Sequence, residues 1–238
     1  MKVIIALTGY KRSGKDTCAN AIADYCISSY KTNVYKFAQP LIQEACSVFG
    51  VSDYENNKEL VKNINGKQIS LREYMIETAS KFRKSNPYHY SSILVNKIKK
   101  DWDKYDIFVV SDLRFKDEWF DLYRNFECAV PIVKINRPGV ECDCSQEPER
   151  AINELPYVLS ITNNKISFFK EDCCYLVRSI ENVRYRYMLE ARQLAKYYGI
   201  PVSHIDKFAE DYYSLLRSNN KKYVMHTMLS KIQKGEYK

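Results

Sequence analysis

Gly9-Tyr10-Lys11-Arg12-Ser13-Gly14-Lys15-Asp16-Thr17 follows directly on the apolar run Val3-Ile4-Ile5-Ala6-Leu7. Strand, glycine-bounded loop, lysine and helix start come in the order of a phosphate cradle. Two glycines let the backbone wrap closely around an anion, so that successive N–H groups point inward, and Lys15 adds a charge suited to β- and γ-phosphates. A helix opening at Lys15 aims the positive end of its dipole at the same place. Such loops usually carry Ser or Thr after the lysine; here that residue is Asp16, and the hydroxyl comes one position later at Thr17. A direct hydroxyl–Mg²⁺ bond at the first position is therefore lost. Thr17 is expected to meet a phosphate, while Asp16 holds Mg²⁺ through water or faces the acceptor.

Outward from the loop, strands and helices alternate over residues 1–180. The expected strands are Lys2–Thr8, Asn33–Phe37, Ile107–Ser111, Ile132–Asn136 and Tyr157–Ile161, several of them continuous apolar runs suited to a parallel sheet covered on both faces. Helical spacing joins Cys18, Ile22 and Tyr25; then Leu41, Ala45, Val48 and Phe49 after Pro40. It joins Leu71, Tyr74, Met75, Thr78 and Phe82, and then Phe115, Trp119, Leu122, Tyr123 and Phe126. The expectation is a doubly wound α/β sandwich with ligands at the carboxyl ends of the strands. Residues 50–70 are polar and turn-rich, and are expected as a mobile loop beside the site.

Val109-Val110-Ser111-Asp112-Leu113-Arg114 forms the second chemical constellation, an apolar strand ending in an acid with an arginine two residues on. A parallel sheet would set Asp112 beside the phosphate loop, where it organises Mg²⁺ or accepts a hydrogen bond from the acceptor. Arg114 would neutralise phosphate charge there. Arg137 also follows a strand's carboxyl end and faces the same crevice. No Ser–His–acid set is apparent, and phosphoryl transfer needs none, because charge neutralisation and in-line positioning supply most of the rate.

Composition fits a folded enzyme in a reducing, cytoplasmic setting. The chain has 238 residues, 45% of them hydrophobic and 28% charged, and no apolar run or charged leader reads as a membrane span or signal peptide. Eight cysteines include two close groups, Cys142-Asp143-Cys144 and Cys173-Cys174, neither with the spacing of a zinc site. The net charge is +8, and residues 178–238 hold 12 Lys/Arg against 6 Asp/Glu, so +6 of it lies in the tail.

These motifs together resemble the deoxynucleoside monophosphate kinases of the bacteriophage and viral type. Tyr10-Lys11-Arg12-Ser13-Gly14-Lys15-Asp16-Thr17 resembles that family's phosphate loop, and Phe37-Ala38-Gln39-Pro40-Leu41 its acceptor-side segment. Arg72, Thr78, Arg83, Asn86-Pro87 and Tyr90 follow its central helical stretch, while Ser111-Asp112-Leu113-Arg114-Phe115 with Glu118, and Asn136-Arg137-Pro138-Gly139, complete the order. The resemblance covers roughly residues 1–180. It implies a P-loop kinase-like three-layer sandwich with about five parallel strands, as a domain over 1–179 followed by a helical basic and aromatic extension over 180–238. It implies ATP and Mg²⁺ as cofactors and a nucleoside monophosphate as acceptor, in the cytoplasm (the host's, for a viral chain). Lys15, Asp16, Asp112 and Arg114 would be catalytic; Gly9, Arg12, Ser13, Gly14, Lys15, Asp16, Thr17 and Arg137 would hold the nucleotide cofactor. Lys11, Phe37, Arg72, Arg83, Tyr90, Asp112, Arg114 and Glu118 would line the acceptor, with Asp16 (through water) and Asp112 the candidates for metal.

Four departures stand out. Ile42 replaces a family lysine, Tyr90 replaces a tryptophan, Gln146-Glu147-Pro148-Glu149 keeps only the acid of a His-x-Ser/Thr-Glu segment, and the tail exceeds the family's length. Two other readings remain open. The loop and the Ser-Asp-x-Arg strand end also resemble animal-type phosphomevalonate kinase. Arg184-Tyr-Arg186-Tyr and Lys221-Lys222-Tyr223 have the basic and aromatic mix of a nucleic-acid contact. Against the latter, Leu189, Leu194, Ile205, Phe208, Tyr212 and Leu215 have amphipathic helical spacing. A helix stop at Gly199-Ile200-Pro201 then gives helices expected to dock on the kinase core or on a second copy in a homodimer.

Overall fold

The computed structural model describes residues 1–237. In chain order the elements are β1 (Val3–Thr8), α1 (Lys15–Cys26), β2 (Thr32–Tyr35), α2 (Gln39–Phe49), α3 (Tyr54–Asn57), β3 (Val61–Ile64), β4 (Lys67–Ser70), α4 (Leu71–Ser85) and α5 (His89–Asp101). Then come β5 (Ile107–Val110), α6 (Lys116–Asn125), β6 (Ile132–Asn136), α7 (Glu147–Ala151), β7 (Leu159–Thr162), α8 (Ile166–Glu181), α9 (Val183–Tyr197), α10 (Ile205–Leu216) and α11 (Lys221–Gln233).

Five parallel strands form one sheet in the order β2-β5-β1-β6-β7. Every residue of β1 is buried, because helices cover both faces and the strand never meets water. Alternation sorts its side chains. Val3, Ile5 and Leu7 join Ile107, Val109, Val133 and Ile135 against α1 and α8, through Cys18, Ile22, Phe169 and Val177. Ile4 and Ala6 join Phe108, Val110 and Ile132 on the opposite face, against α5, α6, α9 and α10. The fold is a three-layer α/β sandwich. The strand ends that meet at its carboxyl edge carry the Gly9–Gly14 loop (the candidate phosphate loop) after β1, Lys36 after β2, Ser111 after β5 and Arg137 after β6.

Residues 50–70, expected as a mobile loop, carry regular structure of their own. Asp53 caps the short α3, and Val61–Ile64 pairs antiparallel with Lys67–Ser70. The hairpin turns on Asn65 (φ 53) and Gly66 (φ 84), whose paired positive φ values are what a tight two-residue turn requires. Ser70 then starts α4 with a capping box to Glu73, a feature worth about 1 kcal/mol. Ile69 and Leu71 close a small satellite core with Ala45, Cys46 and Phe49 of α2, against which Ile42 packs.

The C-terminal helices form part of the sandwich's second layer. Ala191, Leu194, Phe208, Tyr212, Val224 and Met228 belong to the same apolar cluster as Ile4, Phe108 and Trp119. A polar network fixes their register. Glu190, fully buried, accepts hydrogen bonds from Val130 N (2.7 Å), Tyr212 OH (3.0 Å) and Lys221 Nζ (2.8 Å). Lys221 also donates to Cys128 O at 2.8 Å and lies 4.1 Å from the centre of the Tyr123 ring. Lys221 is therefore not a surface contact for phosphate, as the basic and aromatic reading of the tail has it. Arg184 pairs with Glu210 at 2.7 Å, and Arg186 Nη1 donates to Ile180 O, at the C-terminal end of α8, at 3.1 Å.

Candidate active site

The phosphate loop is bent by backbone conformations that few sequences tolerate. Gly9 (φ 143) and Gly14 (φ 104) adopt positive φ, and Arg12 (φ 66) does so with a side chain attached, at a cost of about 1 kcal/mol. Neither glycine has room for a Cβ, which would strike Ile135 O at Gly9 and Asn163 Nδ2 at Gly14. Two outside residues grip the loop: Asn163 Nδ2 donates to Ser13 O at 3.0 Å, and Arg137 Nη1 to Arg12 O at 3.2 Å. Inside it, the Ser13 hydroxyl is buried without a hydrogen-bond partner, as is that of Thr8 at the end of β1.

Lys15 begins α1, as the sequence implies, and is only 9% exposed. Its ammonium donates to Gly9 O (2.8 Å) and Tyr10 O (2.9 Å), neutral carbonyls of its own loop. Burial and then the positive charge of Arg114 bring its pKa down from 10.5 to about 8, against the opposing pull of Glu149, Asp16 and Asp112. Thr17 follows half-buried on the first turn. Asp16 projects from that turn, where Lys36 Nζ lies 2.8 Å from Oδ1 and the buried Ser111 hydroxyl donates to the same oxygen at 3.2 Å.

Across the crevice, Asp112 accepts the backbone N–H groups of Phe37 (2.7 Å) and Ala38 (3.0 Å), one on each carboxylate oxygen. It thereby latches the end of β5 to the segment that leads into α2. Burial raises its pKa, in spite of those two bonds. Arg114, two residues on, forms an ion pair with the buried Glu149, whose oxygens also accept the Lys11 N–H at 3.2 Å. One carboxylate thus ties the phosphate loop to the arginine facing it. Partial loss of water and the nearby charges of Arg72, Arg12 and Lys58 lower the Lys11 pKa, a sign that several cations crowd this side. Glu118 caps α6 by accepting Arg114 N (2.9 Å) and Phe115 N (3.0 Å). Burial, and the charge of Asp112, push its pKa up to about 7.

Several expected site residues have other partners. The Phe37 ring is 3% exposed and packs in the main core with Leu94 and Val95, so its backbone rather than its ring reaches the crevice. Both Asp112 oxygens serve backbone N–H groups, which makes that residue a latch before it is a metal ligand. Arg83 lies 3.1 Å from the centre of the Phe115 ring and 4.0 Å from Glu147. Tyr90 packs edge-on to Phe82 (6.0 Å) and His89 (4.8 Å), its hydroxyl buried and unpartnered. Sequence reasoning missed Asn163 as a loop clamp and Glu149 as the link to Arg114. For Glu149 a signal existed, since it was the one acid retained in an otherwise altered segment. For Asn163 there was none, because its role depends on Gly14 approaching it from far along the chain.

Searched against known proteins, the chain matches no family model and no curated protein. Among solved structures it is similar in fold to an unliganded sugar kinase from Janibacter sp. The identity is 10% and the TM-score 0.43, with 77% of this chain and 95% of that one covered. A GTPase from Pyrococcus abyssi, in its apo form, is 14% identical with a TM-score of 0.39, covering 87% of this chain and 82% of that one. At such values no chemistry transfers from either.

Proposed function

We propose that this chain is an ATP-dependent phosphotransferase whose acceptor is a nucleoside monophosphate, preferentially a deoxynucleotide. One observation carries the reading: Lys15 is buried on neutral carbonyls while the charge of Arg114 bears on it from the opposite wall. Arg114 is already paired with Glu149, whereas the Lys15 ammonium touches only carbonyls and is suited to an arriving anion. The loop fits a polyphosphate, with glycines that admit close approach, an unpartnered Ser13 hydroxyl and a helix N-terminus at Lys15. Among the described residues no three His, Cys, Asp or Glu side chains gather as a metal site. Mg²⁺ would therefore take most of its ligands from the nucleotide, with Asp16 reaching it through water. When bound, the magnesium nucleotide supplies the phosphoryl group and part of the charge neutralisation.

The remaining work falls to the chain. Lys15 leaves its carbonyls for the phosphate oxygens and stabilises the charge that builds on them during transfer. Arg114, held by Glu149, and the Lys11 and Arg72 cations orient the acceptor's phosphate in line. Asp112 fixes the Phe37-Ala38 backbone beside it. No general base is required, because a phosphate monoester is largely ionised at neutral pH. The test is transfer of labelled γ-phosphate from ATP to dTMP, dGMP, dCMP, their ribose counterparts and phosphomevalonate. The reading predicts a diphosphate from at least one nucleotide, with the deoxy form preferred. Turnover of phosphomevalonate alone, or of nothing in the panel, would overturn it.

A further inference from the structure

Cys142 and Cys144 sit between β6 and α7, outside every role assigned above. Cys144 N donates to Cys142 O at 3.0 Å, a three-residue turn about Asp143 that sets the two thiols side by side, with Sγ atoms 3.1 Å apart. The Asp143 carboxylate holds the turn by accepting Ser145 Oγ (2.5 Å) and Gln146 Nε2 (2.7 Å). Cys144 is exposed and Cys142 half-buried, whereas the other close pair, Cys18 and Cys173 at 3.3 Å, is buried between α1 and α8. Closing the Cys142–Cys144 pair to a disulfide, with a bond of about 2.05 Å, requires the sulfurs to approach by only about 1 Å.

The pair is linked through single intermediate residues to the loop and to the segment that carries Glu149. Asn153 Nδ2 donates to Cys142 Sγ at 3.9 Å, while its Oδ1 accepts the hydroxyl of Tyr10 in the phosphate loop. Arg150 Nη1 donates to Cys144 O at 2.6 Å, and Arg150 adjoins Glu149 on α7. We propose that Cys142 and Cys144 are a reversible oxidation site, closed to a disulfide by a hydroperoxide, and that closure loosens the hold of Glu149 on Lys11 and Arg114. The exposed Cys144 thiolate attacks a peroxide oxygen, the O–O bond breaks, and the leaving oxygen takes up a proton to depart as water or alcohol. Cys144 is left as a sulfenic acid. The Cys142 sulfur then attacks the oxidised sulfur, the S–O bond breaks, and hydroxide leaves with the Cys142 proton as water. The two thiols have given two electrons to the peroxide, and a dithiol reductant reverses the change by exchange.

The test uses the full chain, reduced and then titrated with hydrogen peroxide. Free thiols are blocked with N-ethylmaleimide and the peptides are mapped by mass. The peptide holding Cys142 and Cys144 should lose two hydrogen atoms and take up no blocking reagent, at doses that leave Cys18 and Cys173 reduced. Hydrogen exchange at the Lys11 amide should quicken several-fold in the oxidised protein and return to its former rate with dithiothreitol. Cys142→Ser with Cys144→Ser should show neither change. Earlier oxidation at any other thiol, or sulfinic acid without a disulfide, would overturn the site. A disulfide with unchanged exchange over residues 9–17 and 147–153 would overturn the coupling. Neither readout depends on phosphoryl transfer, so the outcome stands apart from that of the kinase reading.

Discussion

Lys221 and Lys15 are the two buried lysines among the described residues, 4% and 9% exposed, and their surroundings differ in kind. Lys221 has a carboxylate at 2.8 Å, a carbonyl at 2.8 Å and an aromatic face over it. Lys15 has two carbonyls of its own loop and a lowered pKa. The first is complete and locks the C-terminal helices against the sheet. The second is left wanting a negative charge, which is how a site for an anionic ligand differs from a structural ion pair.

The largest effect expected from breaking this contrast is on stability. Lys221→Ala would leave Glu190 buried without its counter-charge and should cost about 3–5 kcal/mol in urea unfolding. Replacing both partners, as Glu190→Leu with Lys221→Met, should recover most of that loss. A single variant as stable as the parent would mean that the pair does not hold the tail. Lys15→Ala should do the reverse, keeping the fold and its melting temperature while turnover drops on the order of 10²-fold or more. Unchanged turnover in the folded variant would remove the loop from catalysis.

Arg114→Ala comes next. It should lower kcat/KM for the acceptor by roughly 10- to 100-fold, the value of one or two charge-assisted hydrogen bonds, with ATP affinity little altered. An effect confined to ATP would place the arginine on the wrong side of the crevice. A further expectation concerns Glu118, whose pKa rises from 4.5 to about 7 on folding. The folded state then binds more protons than the unfolded one, so stability should fall as pH rises from 4.5 to about 7. Glu118→Gln keeps an acceptor for the Arg114 and Phe115 N–H groups and should flatten that slope. An identical slope in the variant would assign the titration to another group.

Much of this was legible in the sequence because it was local. The sheet was written in uninterrupted apolar runs such as Val3–Leu7 and Ile107–Val110, and the loop in its glycines, whose positive φ values no other residue would supply cheaply. What stayed hidden depends on residues far apart in the chain. Glu190 and Lys221 look like ordinary helix-surface charges until α6 and the segment from Phe126 to Val130 close over them. Asp112 reads as an active-site acid, and only the approach of Phe37 and Ala38 shows both of its oxygens engaged. The β3–β4 hairpin is a different failure: Asn65-Gly66 is a hairpin signal, outweighed by the polar composition around it.

The most direct test of the contrast between the two lysines is proton uptake on nucleotide binding. At about pH 9, between the Lys15 values of 10.5 and about 8, most of the free protein lacks the Lys15 proton. An arriving phosphate should restore it. Calorimetric titration with ATP in two buffers of different ionisation enthalpy should therefore show uptake approaching one proton, with affinity weakening as pH rises above about 8. Lys15→Ala should abolish the uptake. Binding without proton uptake, or uptake that persists in Lys15→Ala, would contradict the account.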